Sequence, residues 1–328
     1  MIVVTGGAGF IGSAIIWRLN TLNQKNIMVV DELGTDEKWK NLTGLKFDDF
    51  INKNSFIELI ETKLKHGISA IIHMGAISST TEKDADLLLR NNYEYTKKLA
   101  DFCVRTNARF IYASSAATYG NGGMGFNDSE AELGSLRPLN MYGYSKHLFD
   151  LWALKENLLG RIAGLKYFNV YGPNEYHKGD MRSVVHKAFE QALSSGKVKL
   201  FKSKNSSYKD GEQKRDFLYV KDAVDITLFF LNNPGKNGLF NVGSGTARTW
   251  NDLVKALFDA LGKPLNIEYM EMPGHLAEKY QYFTEAKMDK IKKAGFTKSV
   301  SSLEDGVTDY VKNYLLKEKY LGTESGSA

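Results

Sequence analysis

The sequence predicts a doubly wound α/β fold with a parallel sheet, and three observations carry that prediction. Short unbroken apolar runs alternate with stretches whose apolar residues recur at helical spacing. The first run, Ile2–Thr5, leads directly into GGAGFIG at residues 6–12, which opens the first helical stretch. Asp31 ends the second run, 19 residues after Gly12. Runs without polar alternation suit strands covered on both faces, and such strands alternating with helices build a Rossmann-type sheet.

Taken in order, Ile2–Thr5 is the first strand, and Ile11, Ile15, Leu19 and Leu22 form the stripe of the first helix. Residues 26–32, 69–76, 109–116, 161–172 and 238–245 supply five more strands. Leu99, Phe102 and Cys103 share one helical face, so the single cysteine reads as a buried core thiol. After Asn169 the pattern changes to a long excursion, a lysine- and serine-rich block at 202–214, and helices at 249–261 and 302–317. We therefore expect a dinucleotide-binding domain from residues 1–170 plus 216–245. A smaller discontinuous substrate lobe would take 171–215 plus 246–320, and 321–328 would form a disordered tail.

Composition narrows the classes. A chain of 328 residues with 43% apolar content can bury one large or two modest cores. No stretch approaches 18 uninterrupted apolar residues, so no membrane span is expected. One cysteine allows no intramolecular disulfide and fits a reducing compartment. The N-terminus opens on a strand pattern rather than a cleavable leader, which points to the cytoplasm. The net charge of +5 is mild and the lysines are scattered, so nucleic acid is not an expected partner. The same excess suits an anionic, phosphorylated small molecule. No metal is called for.

Glycines at 6, 9 and 12 let the backbone turn tightly, approach a ligand and pack helix against strand, so that freed N–H groups face a pyrophosphate. No Gly-Lys-Ser/Thr closes the loop, which disfavours a triphosphate site. Asp31 suits an unphosphorylated ribose 2′-hydroxyl, whereas Lys38, Lys40 and Lys53 could offset its charge beside a 2′-phosphate. On these residues both NAD and NADP stay open.

In MYGYSK, Tyr142 and Lys146 lie four residues apart and stack on one face if a helix begins there. A phenol titrates near pH 10, and a neighbouring ammonium would lower that value toward a usable base. The fourth strand ends YASSAATYG, where Ser114 and Ser115 point in opposite directions, so one of them can meet the reacting alcohol.

These residues resemble the extended short-chain dehydrogenase/reductase family over nearly the whole chain. The specific parts are Gly6/Gly9/Gly12, Ser115, Tyr142 and Lys146, YFNVYGP at 167–173 and RDFLYVKDA at 215–223. Members that eliminate water usually carry an Asp-Glu pair after the strand-end hydroxyl. Here Ala116 and Ala117 stand there, which moves the reading toward epimerases. SSTTE at 78–82, HKG at 177–179 and YQYFT at 280–284 are similar to members that invert C6 of an ADP-linked heptose for lipopolysaccharide core.

That likeness implies Ser115, Tyr142 and Lys146 as catalytic residues, with Lys178 as a second acid/base. It implies NADP, held by Gly6, Gly9, Phe10, Ile11, Gly12, Asp31, Glu32, Lys38, Lys53, Met74, Gly75, Ala76, Ile77, Ser78, Asn91 and Val170 together with Tyr142, Lys146 and Lys178. It implies an ADP-heptose nucleotide sugar on Ser115, Asn169, Asp180, Lys187, Phe201, Arg215 and Tyr280, and a homo-oligomer in a bacterial cytoplasm. Asp180 and Lys187 depart from the usual Ser and His, and the 202–214 block is longer than usual. Two other readings remain: a UDP-hexose 4-epimerase, in which one tyrosine serves both faces, and a non-catalytic dinucleotide sensor.

Overall fold

The computed structural model describes residues 1–62, 64, 67–274 and 280–323. The first half runs β1 (Ile2–Thr5), α1 (Phe10–Thr21), β2 (Ile27–Asp31), β3 (Asp49–Asn52), α2 (Lys53–Thr62), β4 (Ala70–His73), α3 (Ala85–Leu88), α4 (Tyr95–Thr106), β5 (Arg109–Ser115) and α5 (Met141–Lys155). Then come β6 (Ala163–Tyr167), β7 (Asn169–Tyr171), α6 (Val184–Ser195), β8 (Val198–Phe201), β9 (Lys214–Tyr219), α7 (Val220–Asn232) and β10 (Gly238–Val242). β11 (Ala247–Thr249), α8 (Trp250–Leu261), β12 (Ile267–Met270), α9 (Asp289–Lys293) and α10 (Leu303–Asp309) complete the chain.

Among the described residues, seven strands make one sheet in the order β10-β6-β5-β4-β1-β2-β3, every neighbouring pair parallel. Strands β2, β4, β6 and β10 are buried along their length, because helices cover both faces. The order reverses between β1 and β4. The loops leaving those strands therefore diverge and open a crevice at their carboxyl ends. On α4, Leu99, Phe102 and Cys103 do share the inward face and are fully buried.

The predicted single strand over 161–172 divides at Phe168. β6 stays in the main sheet, while β7 pairs in parallel with β9, which in turn pairs antiparallel with β11. Residues 216–219 thus belong by pairing to this second sheet rather than to the main one, and α7 and β10 lead back. A further two-stranded ribbon, β8 with β12, lies beside α6. The third predicted strand stops at His73, leaving 74–76 as loop. The predicted helix over 302–317 is α-helical to Asp309, then widens to a π turn over Tyr310–Tyr314. β3 carried no apolar run to announce it, since it is an edge strand with both end residues exposed. No helix among the described residues is long and apolar enough to cross a membrane.

The expected free tail does not begin at 321. Leu321 is fully buried, its N–H donates to Asn174 Oδ1 at 2.9 Å, and the Gly322 backbone runs against Gly44. One leucine among polar residues gives no periodic signal, so only the packing shows the anchor. Residues 324–328 lie outside the described residues. Leu321→Ala should lower unfolding free energy by about 2–5 kcal/mol, the usual range for emptying a buried leucine site. Urea denaturation reads this directly, and a midpoint equal to the parent's would show that the chain end is not anchored there.

Candidate active site

The glycine loop leaves β1 and enters α1 without spare room. Gly6 has φ +65°, and a Cβ on Gly12 would fall 2.1 Å from the Gly6 carbonyl oxygen. Helix α1 therefore begins hard against the loop. Its N-cap is Gly9, with no side-chain cap and no acidic residue in the first turn, so its leading N–H groups and dipole stay available to an anion. Ala8 N–H donates to Asp31 Oδ2 at 2.9 Å, Glu32 N–H donates to Asp31 Oδ1 at 2.7 Å, and Lys38 Nζ lies 3.2 Å from the same oxygen. The carboxylate thus braces the loop from the end of β2.

From this loop a groove runs along the sheet's carboxyl edge. Gly6, Gly9, Phe10, Ile11 and Gly12 line it on one side, with Asp31 and Lys38 at its start. Met74, Gly75, Ala76, Ile77 and Ser78 line the other side, and Tyr142, Lys146 and Lys178 stand at its far end. Glu32, Lys53 and Asn91 flank the Asp31 end, where Lys53 Nζ is 2.6 Å from Glu32 and donates to Asn91 Oδ1 at 3.0 Å. The close-packed glycines and the uncapped helix end fit a dinucleotide.

A second part of the cleft continues beyond Tyr142. Ser115, Asn169 and Val170 line it with Tyr142 and Lys178, facing Trp250 and Leu253 from α8. Asn140 caps α5 by accepting from Gly143 N–H at 2.8 Å. This sets the helix phase so that Tyr142 and Lys146, one turn apart, both face the groove. Ser115 is the serine that meets the site, lining the cleft with Tyr142. Ser114 turns inward and donates to Asp150 Oδ2 at 2.8 Å.

Burial raises the Tyr142 phenol above its ordinary value, with the Ser115 side chain opposing. The lowering expected from Lys146 is not what sets it; loss of hydration dominates. Burial also brings Lys146 down to about 8, while the Asp150 charge acts to raise it. Asp150 lies below the site and is fully buried. It accepts from Tyr112 at 2.8 Å and Ser114 at 2.8 Å and pairs with buried Lys166 at 2.9 Å, whose ammonium also donates to Thr118 at 2.7 Å.

Lys178 lines the same cleft from the short helical stretch Tyr176–Met181. Its Nζ lies 5.6 Å from the centre of the Phe10 ring. Burial lowers its proton affinity and the Glu175 charge raises it. Asn41 fastens this wall to the glycine loop, donating to Ala8 O at 2.9 Å and Asn174 O at 3.0 Å.

Five predicted substrate residues lie outside these two lined regions. Lys187 donates to the Asp180 carbonyl, and Asp180 is exposed. Phe201 ends β8, paired with Met270. Arg215 stacks its guanidinium 5.6 Å from the Trp250 ring and 5.2 Å from the Tyr280 ring. Trp250 Nε1 donates to Tyr280 at 2.9 Å, so this pair stands just behind the cleft wall. Sequence reasoning passed over Trp250, Glu175 and Asn92. Asn92 sits in a π turn at Leu89–Glu94 and clamps the Ile77 backbone, accepting from its N–H at 2.9 Å and donating to its carbonyl at 3.0 Å. Only Glu175, three residues before Lys178 in NEYHKG, carried a signal that could have been read.

Residues 2–243 match the family described as NAD dependent epimerase/dehydratase. The chain belongs to this family. Among family relatives it is 55% identical over 316 residues to an ADP-L-glycero-D-manno-heptose-6-epimerase of Nitratidesulfovibrio vulgaris, covering 96% of this chain and 98% of that one. To the protein of that name from Fusobacterium nucleatum it is 52% identical over 328 residues, covering 97% and 99%. The crystal structure of the Helicobacter pylori ADP-L-glycero-D-manno-heptose-6-epimerase superposes with a TM-score of 0.81 at 30% identity, covering 95% of both chains. A Thermotoga maritima UDP-glucose 4-epimerase superposes at 0.78 with 26% identity, covering 97% and 99%.

The Asp150–Lys166 pair yields a prediction for this epimerase/dehydratase fold. Asp150→Ala leaves a buried ammonium without its counter-charge and should cost about 3–5 kcal/mol of unfolding free energy. Chemical denaturation measures it, and a loss under about 1 kcal/mol would mean that Lys166 does not depend on that carboxylate.

Proposed function

We propose that this protein epimerises an ADP-linked heptose at C6, converting the D-glycero to the L-glycero form with NADP as its bound cofactor. The observation that carries the reading is that Tyr142 and Lys178, two side chains able to exchange a proton, line one cleft. The full-length identity to ADP-heptose epimerases points to the same substrate.

The chemistry requires two such groups. When bound, the oxidised dinucleotide accepts hydride from C6 and returns it to the other face of the resulting 6-ketone, ending as it began. Ser115 and Tyr142 hold the C6 oxygen in one orientation, the phenol oxygen exchanging the hydroxyl proton there. C6 lies outside the sugar ring, so turning about C5–C6 presents the ketone's second face and swings its oxygen away from Tyr142. Lys178 Nζ then exchanges the proton on that side. Lys146 lies one turn below Tyr142, where its charge favours the phenolate as that proton leaves. A 4-epimerase acting on UDP-hexoses has no such need, since the whole keto-sugar turns over beneath one tyrosine.

Two lysines support NADP over NAD. Lys38 and Lys53 both line the pocket at the end of β2, and each is paired with an acidic neighbour there. A 2′-phosphate would displace or share those pairs, while Asp31 stays engaged with two backbone N–H groups. We also infer self-association, on the family likeness alone.

Tyr142→Phe and Lys178→Met should each reduce epimerisation of ADP-heptose by at least about a hundredfold, as for loss of a positioned proton-transfer group. Cofactor content should remain as in the parent. Proton NMR of the product, with ADP- and UDP-sugars run in parallel, measures this. Full turnover by Lys178→Met, or turnover confined to UDP-hexoses, would reject the reading. Lys53→Ala should weaken NADP by about tenfold or more, with little change for NAD, on the scale of one charge-assisted contact. Fluorescence titration of the stripped protein reads both affinities, and equal losses would remove Lys53 from 2′-phosphate recognition.

A further inference from the structure

One buried carboxylate stands beside the lysine wall and has no part in the chemistry described so far. Glu175 is 1% exposed and lines the same cleft as Lys178. It accepts from the Ser183 N–H at 2.5 Å and the Ser183 hydroxyl at 2.7 Å, and from Gly172 N–H at 3.3 Å. The Tyr310 phenol, in the π turn that follows α10, lies close enough for the Glu175 charge to act on it. Its own carbonyl accepts from Lys178 N–H at 3.0 Å, which winds the short helical stretch that carries the lysine. Glu175 therefore joins the end of β7 to the N-cap of α6 at the base of the Lys178 loop.

We propose that Glu175 is the positioning residue of Lys178, its buried carboxylate locking the loop that presents the lysine and keeping a proton on its amine inside the cleft. The proposal rests on Lys178 being the second proton-transfer group. A lysine drawn into a closed cleft loses hydration, and loss of hydration favours the neutral amine. A neutral amine cannot donate, so something must oppose that effect if the residue is to exchange a proton in both directions.

The groups facing Lys178 identify what does so. Its own loop carries Glu175, His177, Asp180 and Arg182, and α5 presents Tyr142 and Lys146. β6 contributes Tyr167, while Asp31, Asp36 and Lys38 lie along the shared groove. Burial raises the proton affinity of Glu175, opposed by its bonds from Ser183 and Gly172. Of the groups facing Lys178, its charge is the one that acts to raise that lysine's proton affinity against burial. Tyr310 and, through it, His186 face the far side of Glu175, with His186 Nδ1 3.0 Å from the phenol oxygen. Burial holds His186 down to about 4, so no cation forms there at neutral pH to compete for the carboxylate.

The test uses purified protein with its cofactor in place and compares the parent with Glu175→Gln, Glu175→Asp and Lys178→Met. Two quantities are followed: the pH profile of kcat, and the pH dependence of Lys178 acetylation by trace acetic anhydride, read by peptide mass spectrometry. Glu175→Gln should move the acetylation midpoint of Lys178 to lower pH by about one unit, as expected for removing a nearby opposite charge. One limb of the kcat profile should move with it, in the same direction whether Lys178 gives or takes the proton first, while the other limb stays. Glu175→Asp keeps the charge but withdraws it by one methylene, and should shift both readouts the same way by less. It carries the test should the Gln variant fail to fold. A uniform fall in kcat with the acetylation midpoint and both limbs unmoved would leave Glu175 a merely structural residue and overturn the proposal. Parent-like turnover by Lys178→Met would instead overturn the two-group mechanism, and the acetylation midpoints would still report on Glu175 by itself.

Discussion

The side of the cleft that carries Ser115 and Tyr142 depends on one buried carboxylate. Asp150 projects from α5 beneath the end of the sheet and takes hydrogen bonds from Tyr112 and Ser114 on β5 and from Lys166 on β6. Two strands and a helix are thereby fixed at one point. Because Ser114 is drawn inward to that carboxylate, the pleat of the strand turns Ser115 outward. Because Asp150 lies one turn after Lys146 and two after Tyr142, the same contact sets the phase of α5 against the groove. A buried ion pair is a poor stabiliser compared with apolar packing, but its directional bonds admit one arrangement, which a proton-transfer site requires.

The wall that carries Lys178 is built differently. It has no sheet behind Lys178, only a short helical stretch between β7 and α6, so its position rests on side-chain ties. Asn41 ties Ala8 to Asn174, Asn174 donates to Ser13 on α1, and the chain end returns to Asn174 through Leu321. These bonds connect the glycine loop, the lysine loop and the C-terminus in one chain of contacts. The lysine wall and the glycine loop are thus held by the same set of side-chain bonds. The wall holding Ser115 and Tyr142 is fixed by sheet and helix, and the one holding Lys178 by these ties.

What the sequence disclosed follows the range of the interactions involved. The strands of the main sheet, the glycine loop and the Tyr142–Lys146 spacing are local patterns, readable from neighbours a few residues apart. Glycines 6 and 12 even report a tertiary fact, since both backbones must touch for the motif to exist. The split at Phe168 was not legible, because apolar character runs unbroken through two strands that join different sheets. Nor was Leu321, a single residue whose partner lies 147 positions away. The substrate side was the least readable. Asp180, Lys187 and Phe201 were assigned by likeness and lie off the lined cleft, whereas Trp250 lines it and looked like any first residue of a helix.

Asp31 shows where motif and geometry part. An acidic residue at the end of the second strand reads, by spacing alone, as a partner for a free ribose hydroxyl. In the folded chain one of its oxygens accepts from Ala8 N–H, and the other is shared between Glu32 N–H and the Lys38 ammonium. The carboxylate is thus committed to shaping the glycine loop, and its charge is already balanced within the pocket. Electrostatic exclusion of a 2′-phosphate depends on an unbalanced negative charge aimed at it. Here the nearest mobile charges are the ammonium groups of Lys38 and Lys53, each within reach of a phosphate if it exchanges one carboxylate for another anion. The same residue that would mark an NAD site in isolation becomes compatible with NADP through what it holds.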